Sequence, residues 1–229
     1  MKMTIVLAGA LLSYAAFSQD EGAFLDSQYK NLTHPIKSQS INKGIPLSNT
    51  KEVIASQSPV RSQMARGTCS IFSATAYIEG LLIKKGVTNS TVDLSEEWLE
   101  YTAVRNSSGD GSSAWTNFAA IRDYGMPTEA TLPYIGEDWT EVFNPLKDLR
   151  CGKLTGATKT SCYIVHRDPN MLSMTDDQVM SQYSDKEFVN ARAEAYDVKK
   201  KYIKFSGANF SLSNVDQVKS LLRSGMPVV

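Results

Sequence analysis

The chain has 229 residues, with 24 basic and 24 acidic side chains and 42% hydrophobic residues. That length and apolar share allow one good core or two small ones. A net charge of zero excludes a charge-driven attraction to nucleic acid or to an anionic membrane.

The first element in chain order is a leader. Lys2 gives it a positive start, and residues 4–17 are apolar but too few to span a bilayer. Ala16 and Ser18 are the small residues expected at a cut after Ser18. Residues 1–18 therefore read as a signal peptide, which predicts a secreted or periplasmic protein with no membrane association once the signal is cut. A buried N-terminal strand is the alternative, and the charged start argues against it. Residues 19–57 interleave Ser, Gln, Asn and Lys, and read as an N-terminal arm or short pro-segment.

The segment Pro59-Val60-Arg61-Ser62-Gln63-Met64-Ala65-Arg66-Gly67-Thr68-Cys69 leads into an apolar run carrying Ile71, Phe72, Ala74, Ile78, Leu81 and Leu82. The run predicts a buried helix over residues 69–85, ended by Gly86. A thiolate at a helix N-terminus is favoured by the positive end of the helix dipole. Gln63, six residues before Cys69, can add its side-chain amide to the Cys69 backbone N–H to stabilise an oxyanion. Acyl transfer by a cysteine nucleophile needs both parts. The alternative, a core helix with a structural cysteine, does not account for the glutamine spacing or for Gly67-Thr68.

Further along, Ser95 before Glu96 and Glu97 predicts a helix start. Residues 109–113 form a polar, glycine-containing turn. Residues 114–124 predict a helix closed by Gly125 and Pro127, with Trp115, Phe118 and Ala119 as its apolar stripe. Thr175-Asp176-Asp177-Gln178 and Ser184-Asp185-Lys186-Glu187 fit capping boxes, the second opening a helix to about residue 200. Three cysteines suit an oxidising compartment, with Cys69 reserved for chemistry and Cys151 and Cys162 able to bridge within one loop-like stretch. A zinc site on Cys151, Cys162 and His166 has only three ligands and no paired spacing, so neither a metal nor another cofactor is expected. Ser213 can cap a short helix before Gly225-Met226-Pro227-Val228-Val229.

The nucleophile segment resembles the papain-like cysteine peptidases, and its Arg-Gly-Thr-Cys text resembles their bacterial type. Leu94-Ser95-Glu96-Glu97, Glu129 with Pro133-Tyr134, and the Gly-x-Pro-Val-Val ending are similar to family text in the same order. Two positions depart from the plant and lysosomal pattern: Arg66 stands where those enzymes have a disulfide cysteine, and Ser70 where they have tryptophan. The resemblance implies an α+β fold with a helical left domain whose central helix starts at Cys69, and a barrel-like right domain only partly present. Residues 58–136 then belong to the left part, 137–190 to an insertion carrying the cysteine pair, and 191–229 to the start of the right part. The resemblance also implies a peptide or protein substrate, with the turn at Gly111 and Ser112 offering backbone hydrogen bonds to it. A polar turn that merely caps the next helix is the equal alternative.

Cysteine acyl transfer needs a general base, usually histidine. His34 lies in the polar arm. His166 follows Cys69 by 97 residues, short of the ~130–150 of papain-like enzymes, and precedes the strand that their base follows. The reading is a cysteine peptidase whose His and Asn lie beyond Val229, so that the chain alone is expected to be inactive. A papain-like peptide-binding module without catalysis is the alternative, and acyl transfer to an amine is a third possibility.

Overall fold

A computed structural model describes residues 54–203 and Lys219. The predicted signal, nearly all of the predicted arm with His34, the helix capped by Ser213 and the strand at residues 225–229 lie outside the described residues. Seven α-helices occur among those described: α1 (Cys69–Lys84), α2 (Glu96–Val104), α3 (Ala114–Tyr124), α4 (Pro145–Cys151), α5 (Gly156–Val165), α6 (Asp176–Tyr183) and α7 (Lys186–Tyr202). The β-structure among them is a single antiparallel bridge, Leu94 to Thr128.

Local chemistry fixes most helix starts. Ser95 Oγ accepts from Trp98 N, Ser113 Oγ from Thr116 N, and Asn144 Oδ1 from Leu146 N ahead of Pro145. Thr175 and Gln178 form the complete capping box expected at α6. The box expected at Ser184 is not formed. Ser184 instead closes α6 with φ +53°, and Asp185 caps α7 by accepting from Phe188 N. An aspartate next to a serine offered two candidate caps, and the left-handed end of α6 decides between them.

Burial differs from the pattern that periodicity suggests. α1 buries Ile71, Ala74, Ile78 and Leu82 but leaves Ser73 and Lys84 exposed. The helix buried nearly all round is α2, where every residue except Ala103 is buried, three glutamates included. One core joins Ile71, Ala74, Ile78 and Leu82 of α1 to Leu99 of α2 and Ile121 of α3. The other joins Trp98 and Tyr101 of α2 to Val165, Met171, Val179, Phe188 and Ala191. α2 is thus the wall between two cores. On α3 the expected stripe is rotated: Trp115 is exposed, Phe118 and Ala119 are half-buried, and Asn117, Ala120 and Ile121 face inward. Asn117 turns in because its amide has a backbone partner on α1. Gly125 closes α3 at φ +72°, and a Cβ there would collide with the Ala195 carbonyl of α7.

The segment 137–190 is helical and shares the second core with α2. Cys151 ends α4 and Cys162 lies on α5, so the pair sits on helices rather than in a loop, and a disulfide joins them. Trp139 packs against the bridge. Closing this short loop predicts a loss of about 2–3 kcal/mol in urea unfolding on reduction or in the C151S/C162S variant. An unchanged midpoint would mean that Trp139 packing alone holds α4 to α5.

Candidate active site

Cys69 is the first residue of α1, exposed and with a free thiol. The cap residue Thr68 is buried but makes no side-chain cap bond to the helix. Its hydroxyl is instead 2.7 Å from the Tyr134 hydroxyl, which donates to the Gln63 carbonyl at 3.0 Å. The single Tyr134 proton goes to that carbonyl, so Thr68 is the donor to Tyr134. Burial, the largest influence, raises the Tyr134 pKa and keeps the phenol neutral for this role. No side chain at the cap competes for the first N–H groups of α1, which lie beside the thiol.

Gln63 is half-buried and opens the loop to Cys69. Met64 adopts φ +53°, uncommon for a non-glycine residue. Two backbone bonds hold the loop in this shape, Ala65 N to the Gly136 carbonyl at 3.2 Å and Arg66 N to the Gln63 carbonyl at 3.4 Å.

The turn at Gly111 and Ser112 lies against the start of α1. Ser112 N donates to Ser70 Oγ at 3.0 Å, and Asn117 Nδ2 donates to the Ser70 carbonyl at 2.8 Å. The Ser112 hydroxyl bonds Asn117 Oδ1. Gly111 has φ +75°, and a Cβ there would sit 2.5 Å from the Gly67 carbonyl, so only glycine fits. Both amides of the turn are engaged within the chain, Gly111 N by Glu100 Oε1 at 3.1 Å and Ser112 N by Ser70. The capping alternative falls on Ser113 rather than Ser112.

Beneath the loop lies a buried charge cluster centred on Arg66. Its Nη1 donates to Glu97 Oε2 and the Ile135 carbonyl, each at 3.1 Å. Its Nη2 donates to Asp110 Oδ1 at 3.0 Å and the Ile164 carbonyl at 2.7 Å, and its Nε to Asp110 Oδ2 at 3.4 Å. Burial works against the charge, but Glu97 and Asp110 outweigh it and raise the pKa of the guanidinium. Glu97 is fully buried. Burial alone would raise its pKa, yet His166, Arg66 and Arg167 together pull it down to about 2.

His166 is buried, with Nδ1 2.8 Å from Glu97 Oε1, Nε2 3.0 Å from the Glu137 carbonyl, and its ring against Trp139. Both ring nitrogens are thus engaged by partners within the chain. Cys151 and Cys162 form their own bridge and take no part. Among the described residues no group of three or more His, Cys, Asp or Glu side chains could hold a metal ion.

The structure places the loop from Gln63, Cys69, Gly111 and Ser112 at one end of α1, and sequence reasoning missed the groups beneath them. Glu97 and Glu100 are spaced for one face of an otherwise apolar helix, which was the available signal. Asp110 stands next to Gly111, and Arg66 was visible only as a missing cysteine.

The profile described as papain family cysteine protease matches residues 48–215. Neither the curated proteins nor the solved structures contain a match to the chain. The family match covers well over half of the chain and takes in both the loop before Cys69 and the helix that starts there, so the chain belongs to the papain family of cysteine proteases.

Proposed function

We propose that the chain carries the nucleophile and oxyanion site of a secreted or periplasmic peptidase of the bacterial papain-like type. One observation carries the reading: an exposed thiol on the first residue of α1, reached by a loop whose Gln63 is pinned through Tyr134. Cys69 Sγ attacks the peptide carbonyl carbon, and the carbonyl electron pair moves onto oxygen. The Gln63 side-chain amide and the Cys69 N–H receive that oxyanion. The C–N bond breaks as the leaving amine takes a proton, and water then hydrolyses the thioester.

In this reading the base that moves these protons, and the Asn that orients it, lie beyond Val229. The engaged, buried position of His166 supports this placement. An extended substrate runs along Gly111 and Ser112, and its carbonyl displaces the Ser70 hydroxyl from Ser112 N.

A peptidyl epoxide tests the reading, since ring opening by a thiolate leaves a stable thioether. The expected result is a single adduct on the Cys69 peptide by mass spectrometry, absent in Cys69→Ala. Peptide binding without an adduct would favour a papain-like binding module.

A further inference from the structure

Glu100 follows Glu97 by three residues on α2, and its side chain is fully buried. Its Oε1 accepts from Gly111 N at 3.1 Å and lies 3.6 Å from Arg66 Nη2. Its Oε2 is buried, and no donor among the described residues reaches it. Asp110 is its other ionisable neighbour. That carboxylate grips Arg66 through both oxygens and also faces Gly67 N at 3.4 Å.

Three carboxyl groups therefore surround one guanidinium. Glu97 is matched on its far side by His166 and Arg167. Glu100 and Asp110 have Arg66 alone as a cationic neighbour within 4 Å among the described residues. Two carboxylates so placed in a buried site resist ionising together. A proton on Glu100 Oε2 turns an orphan acceptor into a donor, with Asp110 as the neighbouring acceptor.

We propose that Glu100 and Asp110 share one proton, and that this acid pair, gripped by Arg66, positions the 110–112 turn against the loop leading to Cys69 and loosens it when the proton leaves. The consequence for substrate rests on the peptidase reading above; the shared proton does not. The groups that face Glu100 are Arg66 from the loop and Asp110 with the Gly111 N–H from the turn. Glu97, the Tyr134 ring and the Ile164 carbonyl stand behind Arg66. Burial is the largest influence on Glu100 and raises its pKa to about 8, opposed by Arg66 and the Gly111 N–H and helped by Asp110. A raised carboxyl stabilises the fold fully below its ordinary value of 4.5, and that contribution is lost as pH rises through about 8.

Two measurements decide the proposal. The first is the infrared spectrum of the whole chain. A buried carboxylic-acid carbonyl band is expected at neutral pH. Glu96 contributes to it as well, so the part that belongs to Glu100 is the part lost in Glu100→Gln, which should fade on the alkaline side. A band unchanged in Glu100→Gln would overturn the shared proton. The second is the rate of Cys69 labelling by a peptidyl epoxide, divided by that for iodoacetamide, which reports the thiol alone.

From about pH 6 to about pH 9.5 this ratio should fall roughly tenfold, within the ~100-fold cost of misplacing a positioning group. In Glu100→Gln, whose amide donates to Asp110 at every pH, it should stay flat. The same fall in both proteins would overturn the positioning role. If Glu100→Gln does not fold, Asp110→Asn gives the same two readouts: its amide donates to an ionised Glu100 beside Arg66, so the Glu100 part of the band is lost at neutral pH and the ratio is flat. Labelling by iodoacetamide but never by the epoxide would defeat the peptidase reading, and the infrared band would still decide the acid pair.

Discussion

Arg66→Met lowers the free energy of unfolding by about 3–5 kcal/mol, the cost of breaking a buried ion pair from one side. A whole domain is stable by about 5–15 kcal/mol, so the variant stands close to unfolding. The size follows from what remains: Glu97, Glu100 and Asp110 keep their burial and lose the guanidinium that all three face. The Ile135 and Ile164 carbonyls lose a donor as well.

Arg66→Lys recovers part of the loss, because an ammonium keeps the charge but cannot reach five acceptors in one plane. Urea titration at neutral pH gives the numbers, and a loss under about 1 kcal/mol would mean that the cluster behaves as a surface ion pair. Acid supplies a second check. Glu97 has its pKa lowered from 4.5 to about 2, so its contribution is complete above 4.5 and disappears as pH falls through about 2. Without Arg66 the Glu97 pKa rises, and less stability remains to be lost over that window.

Gln63→Ala is expected to cost roughly 10²–10³ in kcat, with KM little changed, when measured on the active enzyme with a peptide substrate. The amide acts on charge that develops only in the transition state, so ground-state binding is spared. The backbone that aims it is held independently: Tyr134 holds the Gln63 carbonyl and Gly136 the Ala65 N–H. Truncating the side chain therefore leaves the loop in place. A fall in kcat under about threefold would remove Gln63 from the oxyanion site.

Much of the helical part was legible, for reasons that are local. The α1 start at Cys69, the Ser95 cap, the limits of α3 and the Thr175 box depend on neighbours within four residues. The misreadings arose where distant groups decide. α2 carries three glutamates in nine residues, which ordinarily means a solvated face, yet Glu97 and Glu100 lie inward because Arg66, and for Glu97 also His166 and Arg167, come from far along the chain to meet them. Trp115 counts as apolar in any periodicity, while Asn117 takes the buried face through its bond to Ser70. α4 and α5 are short and mixed in composition, so their cysteines read as lying in a loop. At the site, the position of Cys69 at the start of α1 and the close backbone approach at Gly111 answer local demands. Glu100 and Asp110 answer a demand created by Arg66, and no single position carries that signal.

The bond from Arg66 to the Ile164 carbonyl spans 98 residues. Translation proceeds from the N-terminus, so the loop before Cys69 leaves the ribosome long before the far end of α5 exists to receive it. Until then the guanidinium is hydrated and the loop has no fixed shape, because a contact of such long range forms only after the intervening chain is ordered. The nascent polypeptide therefore carries a thiol without a finished site around it. The geometry around Cys69 is thus a late product of folding, complete only when α5 has joined the loop.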